Sequence, residues 1–428
     1  MALSSPGTGP GTTGAADPGP PTADATGSPS PGRPTRGLLP LLLAGNTAMY
    51  ALYIGVPGML LALQIEDIDP SGKVANFGLV SGISAVFATV FNPVAGALSD
   101  RSGRRNPWIL AGGLLVLPVM LLLGGVHSIL LVTIVWCLGQ AVMNVYQAAL
   151  TSVVPDRVPT AARGRASAAV GLGLPLGSTI GALVGAAFSE QYRTGYLVFG
   201  AIVAATAVLF TACAPERRMP AKAPVPVRAQ IAAFGDALRH HDFRWAFIGR
   251  ALLVLGYFSV AGFQLYILKD HTVLPAGLSA EGAVAILMPV GAVAMVVSTV
   301  LGGWLSDRFD RRKLFVGASA ALAAVALLIP AVSSSWSAML AFSVVNGLGF
   351  GCYMAVDTAL VTMVLPKAED AARDMGVLNV ANAGPQIVAP FAASLVVSLS
   401  GGYTALFLVA AVLSVLGALA VRPIRSVR

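Results

Sequence analysis

The chain has 428 residues, of which 56% are hydrophobic and only 11% are charged, and its mean hydropathy is +0.78. Soluble domains usually carry about a quarter charged residues, so this composition excludes an ordinary soluble protein. The net charge of +8 is spread over short turns without a basic stripe or a recognisable binding module, which excludes a nucleic-acid partner. We therefore expect a protein embedded in a lipid bilayer.

The first 36 residues are rich in Pro, Gly, Ser and Thr and contain almost nothing to bury. This composition predicts a disordered tail over 1–36. An apolar core of about 7–15 residues, as in a signal peptide, is absent near the start. The first apolar helix is therefore expected to direct its own insertion into the membrane.

Twelve mostly apolar stretches follow the tail. An α-helix needs roughly 20 such residues to cross a bilayer. Backbone groups in lipid must bond internally, and the alternating segments of a β-barrel are absent, so the stretches predict helices. They lie near residues 37–63, 74–98, 108–126, 128–150, 166–188, 195–214, 244–268, 278–304, 313–332, 336–362, 374–398 and 402–421. The sequence predicts an all-α membrane protein with twelve transmembrane helices.

Basic residues are distributed unevenly between the two sides of this bundle. All but four of the 27 Lys and Arg residues fall on the side of the tail, the turns after even-numbered helices and the C-terminus. The exceptions are Lys73, Arg193 and Lys269 on the other side, and Arg250 inside helix 7. Basic loops stay in the cytoplasm, so both termini are predicted to be cytoplasmic.

Two turns of the chain carry nearly the same sequence. The stretch GALSDRSGRR at 96–105 matches GWLSDRFDRR at 303–312, 207 residues later. Two proline pairs repeat at similar offsets, Pro155 with Pro366, 211 residues apart, and Pro175 with Pro385, 210 residues apart. Features that repeat in one order predict two halves of common design, as in secondary transporters.

These repeats divide the chain into two six-helix halves. The predicted domains are a disordered cytoplasmic tail at 1–36, an N-terminal six-helix half at 37–214, a cytoplasmic linker at 215–243, a C-terminal six-helix half at 244–421 and a cytoplasmic tail at 422–428. The G-x-L-x-D-R-x-G-R-R turn, its second copy and the 6 + 6 plan together resemble the major facilitator superfamily over roughly residues 37–421. The resemblance implies that fold and a multi-pass transporter of the cell membrane, which we expect to be a monomer.

The repeated turn contains residues suited to a conformational latch. Glycine allows helix ends to cross closely, Asp can face a helix N-terminus, and Arg can hold carboxylates or carbonyls. The resemblance implies a latch between the halves that breaks as the carrier changes the side it faces. The expected latch residues are Gly96, Asp100, Arg101, Gly103, Arg104, Arg105, Asp307 and Arg308. The second copy has Asp310 in place of glycine, so we expect it to contribute less. The alternative is a turn that only keeps positive charge in the cytoplasm.

Helices 1, 4, 7 and 10, which the resemblance places around a central path, each carry polar residues. Their spacing of three, four or seven residues puts each set on one helix face. Such a face either lines a path for a solute or ties helices together. We predict a solute-binding cavity lined by Asn46, Tyr50, Tyr53, Gln140, Asn144, Gln147, Arg250, Tyr257, Gln264, Asn346, Tyr353 and Asp357.

Arg250 and Asp357 are the only charged residues well inside the twelve segments. A charge at mid-helix costs roughly 2.5–3.5 kcal/mol on insertion scales, which favours a functional explanation. Their similar depth allows them to pair, and we expect them to couple transport to protons. The alternatives are a structural salt bridge or an arginine that reaches the membrane interface.

Other residue types form no recognisable site. Cysteines and histidines lack metal-ligand spacing and no nucleotide-binding loop is present, so we expect no metal, cofactor or catalytic residue. The helix-5 stretch GLGLPLGSTIGALVG distantly resembles a motif of drug antiporters, and helix packing explains it equally well.

The sequence thus predicts a secondary transporter of a small organic solute, coupled to H⁺ as in a symporter. The stretches GRRNPWIL and PDRVPTAARGRASA resemble the sugar carriers of the superfamily, which favours a sugar or glycoside-like solute. The alternatives are a proton-driven exporter of a drug or natural product, a membrane-embedded enzyme, and a non-transporting membrane sensor.

Overall fold

A computed structural model of the protein describes residues 37–159, 162–216, 235–364 and 371–425. The predicted tail 1–36, most of the predicted linker and the last three residues lie outside these ranges. Within them, twelve helices are long and apolar enough to cross a membrane. They are α1 (Leu38–Ile68), α2 (Lys73–Ser102), α3 (Asn106–Gly125), α4 (Ile129–Arg157), α5 (Arg163–Ala187), α6 (Tyr192–Cys213), α7 (His241–Ala261), α8 (Ala280–Phe309), α9 (Arg312–Val332), α10 (Trp336–Val364), α11 (Ala371–Ser400) and α12 (Tyr403–Ala420).

Several helices are longer than the apolar stretches that predicted them. Helix α2 continues to Ser102 and α4 to Arg157, because a helix keeps its backbone bonds where its side chains become polar. The prediction of one continuous helix over 244–268 is wrong. Helix α7 ends at Ala261, and a separate short helix, Gln264–Asp270, follows a two-residue turn.

Helix α1 contains one widened turn. Val56–Leu60 form a π-helix, which closes with a bond from the N–H of Leu61. Pro57 has no N–H to donate to the α-helical ladder, which accounts for the local change. The preceding Gly55 lies so close to α5 that an added Cβ would be 2.7 Å from the carbonyl oxygen of Gly181.

The two halves repeat one arrangement of helices. In the first half α1 packs on α5, α2 on α4 and α3 on α6. In the second half α7 packs on α11, α8 on α10 and α9 on α12. The halves meet along two seams, α2 with α11 and α5 with α8. The predicted fold of twelve helices in two six-helix repeats is confirmed.

Glycines allow α5 to pack very closely on α1. An added Cβ at Gly173, Gly177 or Gly181 would lie only 2.6–2.7 Å from an atom of α1. Small residues of this kind let the backbones of membrane helices approach each other. The Gly-rich stretch of α5 therefore serves helix packing, which is one of the two explanations that its sequence allowed.

The two ends of the bundle differ in how the halves meet. We call the end with the α2–α3 and α8–α9 turns the motif end, and the other the opposite end. At the opposite end, Phe77 of α2 packs edge-on against Phe263 and Tyr266, 5.2 and 5.6 Å away between ring centres. The Tyr266 hydroxyl also donates to the carbonyl of Ala62 at 2.7 Å. These residues belong to a core that both halves share, whereas the core around Phe350 contains residues of the second half.

Candidate functional site

Charged residues join the two halves at the opposite end. The ammonium of Lys73 on α2 bonds Asp270 at 2.8 Å and Glu66 at 2.9 Å. Lys269, after α7, bonds Glu66 at 2.8 Å and Glu281 at 3.2 Å. We call these five residues the opposite-end ion cluster. Two of its bonds cross between the halves, so it holds them together at this end.

Arg105 is the centre of the first repeated turn at the motif end. Its side chain is only 3% exposed. The guanidinium donates to Asp156 of α4 at 2.9 Å and also contacts Asp100 and Ser99. Each of these partners belongs to the N-terminal half. In this conformation the acid of the expected latch is therefore paired within its own half, and Arg101 and Arg104 are exposed.

The N-terminus of α3 is occupied by Glu216 and not by Asp100. The Glu216 carboxylate accepts the backbone N–H groups of Arg105 and Asn106, each at 2.8 Å, and it also pairs with Arg157. A carboxylate is favoured there by the free N–H groups and the helix dipole. Sequence reasoning missed this residue because 111 positions separate it from the turn.

The second turn repeats the main ion pair with fewer supporting contacts. Arg312 bonds Asp307 at 3.0 Å and contacts the sulfur of Met363. The Asp307 side chain is 69% exposed, compared with 35% for Asp100. The buried Nε of Arg312 and the buried hydroxyl of Ser306 have no partner among the described residues, whereas the corresponding arginine and serine of the first turn bond each other.

Both turns end their helix with a residue in the left-handed conformation. Gly103 ends α2 with φ of 62°, and Asp310 ends α8 with φ of 49°. Glycine adopts this region freely, while a residue with a side chain pays roughly 1–2 kcal/mol. The one departure of the second copy from the fixed positions of the G-x-L-x-D-R-x-G-R-R pattern therefore falls where a side chain is costly.

The close helix crossing expected at Gly96 and Gly303 is absent in this conformation. An added Cβ would meet no atom within 4 Å at Gly96, and only Ala355 at 3.8 Å at Gly303. The tight contact between α8 and α10 occurs at Gly302, where an added Cβ would lie 2.6 Å from Cys352. The sequence has two adjacent glycines here and does not show which of them faces α10.

The two charges inside the membrane helices form a pair. The Nε of Arg250 on α7 donates to Oδ2 of Asp357 on α10 at 2.6 Å, and a second guanidinium nitrogen contacts the same oxygen. Asp357 is 2% exposed and the Arg250 side chain is mostly buried. Tyr353, one turn before the acid, adjoins both charged groups. The pair joins two of the helices that were expected to line the path.

Polar residues on α1 and α4 include both bonded and unbonded groups. Asn144 is bonded to Asn92 of α2 at 2.9 Å, which ties α4 to α2. The Asn46 amide donates to the Leu42 carbonyl, but its buried oxygen has no partner among the described residues. The same holds for the hydroxyl of Tyr53. Unpartnered buried polar atoms are rare, so each favours a functional explanation.

The other residues predicted to line the cavity are partly accessible. Tyr257 stacks on Phe350 with 3.8 Å between ring centres, and Gln264 begins the short helix after α7. Thr47 on α1 also has a buried hydroxyl without a partner in the described part of the chain, and sequence reasoning missed it. The half-buried members of the predicted set are Tyr50, Tyr53, Gln140, Gln147, Arg250, Tyr257, Gln264 and Asn346. Their role as solute ligands stays a prediction.

Comparison with known proteins decides the family. A family model of the Major Facilitator Superfamily matches residues 41–293 and 272–427. The chain belongs to the Major Facilitator Superfamily. The repeated turn, the two halves and the twelve helices agree with this assignment, and the chain is a membrane transporter of this superfamily and not an enzyme.

The chain is similar in sequence to two named transport proteins. The MFS transporter asaE of Aspergillus flavus is 23% identical over 338 residues, which cover 76% of this chain and 72% of the relative. The multi-drug resistance efflux pump PmrA of Streptococcus pneumoniae is 25% identical over 174 residues, which cover 37% of this chain and 42% of that protein.

Solved structures share the fold at low sequence identity. A POT family transporter crystallised with 5-aminolevulinic acid superposes with a TM-score of 0.72 at 13% identity, covering 90% of this chain and 95% of that one. A bacterial homologue of the lysosomal transporter Spinster, in an inward-facing conformation, gives 0.69 at 16% identity, covering 92% and 95%.

Proposed function

We propose that this superfamily member is a proton-coupled secondary transporter that moves a small organic solute across the cell membrane by alternating access. The ion pair between Arg250 and Asp357 carries the proposal of proton coupling. A buried carboxyl group holds a proton more tightly when no guanidinium is near. A conformational change that separates the pair therefore favours protonation of Asp357 in one conformation only, which links a proton gradient to transport.

A hydroxyl-rich solute such as a sugar or glycoside fits the polar residues of the proposed path. Asn, Gln and Tyr side chains supply neutral donors and acceptors for hydroxyl groups. The oxygens of Asn46 and Tyr53 on α1 have no partner in the described part of the chain, and they support this solute class, since a bound solute would satisfy them. The likeness of the turn sequences to sugar carriers also supports symport of such a solute.

Proton-driven export of a drug or natural product is the second candidate. The similarity to a multi-drug resistance efflux pump favours it. The α4 helix argues against a standard drug antiporter, because residues 129–155 contain no charged side chain. Import and export differ in the direction of net solute movement at a fixed pH gradient, so one assay separates the two candidates.

Liposomes that contain the purified chain provide the test of coupling. Sugars, glycosides and dyes are screened for uptake and efflux, with and without a pH gradient. We expect Asp357→Asn to keep exchange of labelled solute but to lose accumulation driven by the pH gradient. Arg250→Ala should also disturb coupling, and the double variant should be no worse than either single one, because the two residues act as a unit.

The control for this test is Glu190→Gln, which removes an exposed carboxylate from a turn outside the bundle. It should transport and accumulate like the original chain. If Asp357→Asn accumulates solute with normal pH dependence, then the coupling site is elsewhere and the proposal of this proton site is wrong. If the original chain accumulates solute without any response to pH, proton coupling itself is wrong.

We further propose that the motif end faces the cytoplasm, with both termini on that side, and that this structure is the cytoplasm-facing conformation. The uneven distribution of Lys and Arg supports the orientation. The opposite-end ion cluster supports the conformation, because it joins the halves at the outer end. The pairing of Arg105 within its own half at the motif end agrees with a released latch.

Two cysteine variants test the orientation, in a chain whose exposed Cys213 is replaced by serine. Gly164 at the start of α5 has open space around an added Cβ, and Ala276 is exposed in the turn before α8. We expect Gly164→Cys to react with an impermeant maleimide only after the membrane is opened. Ala276→Cys should react in intact cells. The reverse pattern would invert the topology.

A further inference from the structure

A groove between α9 and α12 lies at the motif end, on helices that the proposed path does not use. It has a cavity volume of about 630 Å³. Its lining combines glycine and alanine residues with larger apolar side chains, of which Leu314, Val415 and Leu419 are exposed. The apolar lining consists of Leu314, Gly317, Ala318, Ala321, Val415, Ala418, Leu419 and Val421. Exposed apolar residues on membrane helices contact lipid, so the groove is open to the bilayer.

Three basic residues lie where the groove reaches the helix ends. They are Arg311 and Lys313 at the start of α9 and Arg422 just after α12. The Lys313 ammonium donates to the carbonyl oxygens of Arg422 and Ile424 at 2.6 and 2.7 Å, which fixes the chain after α12 beside the groove. The two arginines are exposed. No acidic residue is among the described residues that line this groove.

We propose that this groove binds a phospholipid with an anionic headgroup. The apolar part accommodates an acyl chain, and the basic part lies at the level of the headgroups, since it is located at the ends of two membrane helices. Arginine binds phosphate oxygens through two parallel N–H groups. Basic pockets between transmembrane helices have the charge that anionic headgroups need.

The charge of the three basic residues determines which class of lipid the groove prefers. Three positive side chains without a lining carboxylate attract a net negative headgroup. A zwitterionic headgroup also brings a positively charged ammonium group to the same place, and the three basic residues repel that group. Phosphatidylglycerol is therefore the probe lipid and phosphatidylcholine is its comparison. The proposal depends on the membrane-spanning fold and not on which solute is transported.

Native mass spectrometry of the full chain, released from nanodiscs of equal phosphatidylglycerol and phosphatidylcholine, measures retained lipid. We expect the original chain to retain the anionic lipid preferentially. Arg311→Gln and Arg422→Gln should each lower that preference about fivefold, the effect of one basic residue near a headgroup. Arg165→Gln is the matched control, because it removes an exposed positive charge at the same end of the other half. Its preference should be unchanged.

A third variant tests the apolar part without changing charge. Ala318→Leu fills the groove from an exposed position, and it should also lose retained phosphatidylglycerol while gel filtration shows an intact protein. Equal loss in Arg165→Gln would show an unspecific charge effect and overturn the proposal. Unchanged retention in the double variant of Arg311 and Arg422 would overturn it as well. Displacement of the lipid by inorganic phosphate alone would show a site for a free anion instead.

Discussion

The two repeated turns have nearly the same sequence but very different surroundings. In the first, Arg105 is buried between two carboxylates and a serine, and Glu216 occupies the N-terminus of the next helix. In the second, the described residues give Arg312 one carboxylate and leave one of its nitrogens without a partner, and Asp310 has the left-handed conformation. Partners outside the motif therefore decide how firmly each copy is held, since Asp156 comes from a different helix.

This difference has an energetic meaning. A fully hydrogen-bonded buried network stabilises one arrangement. A partly bonded network leaves buried polar groups that have lost their hydrogen bonds to water without gaining others in the protein. By the contacts of the described residues, the second turn is thus the weaker connection between its two helices. This agrees with the smaller contribution that the sequence led us to expect from Asp307 and Arg308.

The largest expected effect on stability comes from replacing the central arginine of each turn, Arg105 or Arg312. Arg105→Gln should lower stability by about 3 kcal/mol, because it leaves the carboxylate of Asp156 buried beside a neutral amide. Arg312→Gln should cost less than about 1 kcal/mol, since its partner is exposed. The amount of monodisperse protein left after heating in detergent, measured by gel filtration, compares the two. Equal losses would contradict the difference between the turns.

The second expected effect concerns transport. Asp100→Asn should lower the transport rate at least about tenfold, roughly 1.4 kcal/mol, while expression stays intact, because a charge-assisted contact is lost from one conformation only. Asp307→Asn should do less. Initial rates of solute exchange in liposomes measure both. A near-normal rate in Asp100→Asn would mean that the turn serves only to keep positive charge in the cytoplasm.

The smallest expected effect comes from exchanging the residues that end the two helices. Asp310→Gly should raise stability by about 1 kcal/mol, because it removes a side chain from a left-handed position. Gly103→Asp should lower it by a similar amount. Heating curves of the two variants show this as shifts in opposite directions. Shifts of the same sign would show that local contacts, and not backbone conformation, control the two positions.

Much of the fold could be predicted because lipid imposes simple requirements. Long apolar runs predict the twelve helices, and repeated turns predict the two halves. The break after Ala261 could not be predicted, since the apolar run continues through it. The pairing of Arg250 with Asp357 followed from similar depth alone, because two opposite charges in lipid have few other ways to lower their cost.

Contacts between distant polar residues were less accessible to sequence reasoning. Asp156 follows the repeated Pro155, and Glu216 comes after the last helix of the first half, but nothing in either segment indicates a contact with Arg105. The opposite-end ion cluster was missed for a similar reason. Lys73 and Lys269 stand out in the sequence as exceptions to the charge distribution, but nothing in their spacing indicates that they share the carboxylate of Glu66.

The contact between α1 and α5 has a mechanical consequence. At Gly173, Gly177 and Gly181 no α5 side chain separates the two helices, so sliding one along the other would bring larger α5 residues against α1 and is disfavoured. We therefore expect α1 and α5 to move together as one rigid body. In this pair of helices, α5 lies in the seam with α8, and α1 carries Asn46 and Tyr53. We expect a tilt of α5 at the seam to move those side chains with it.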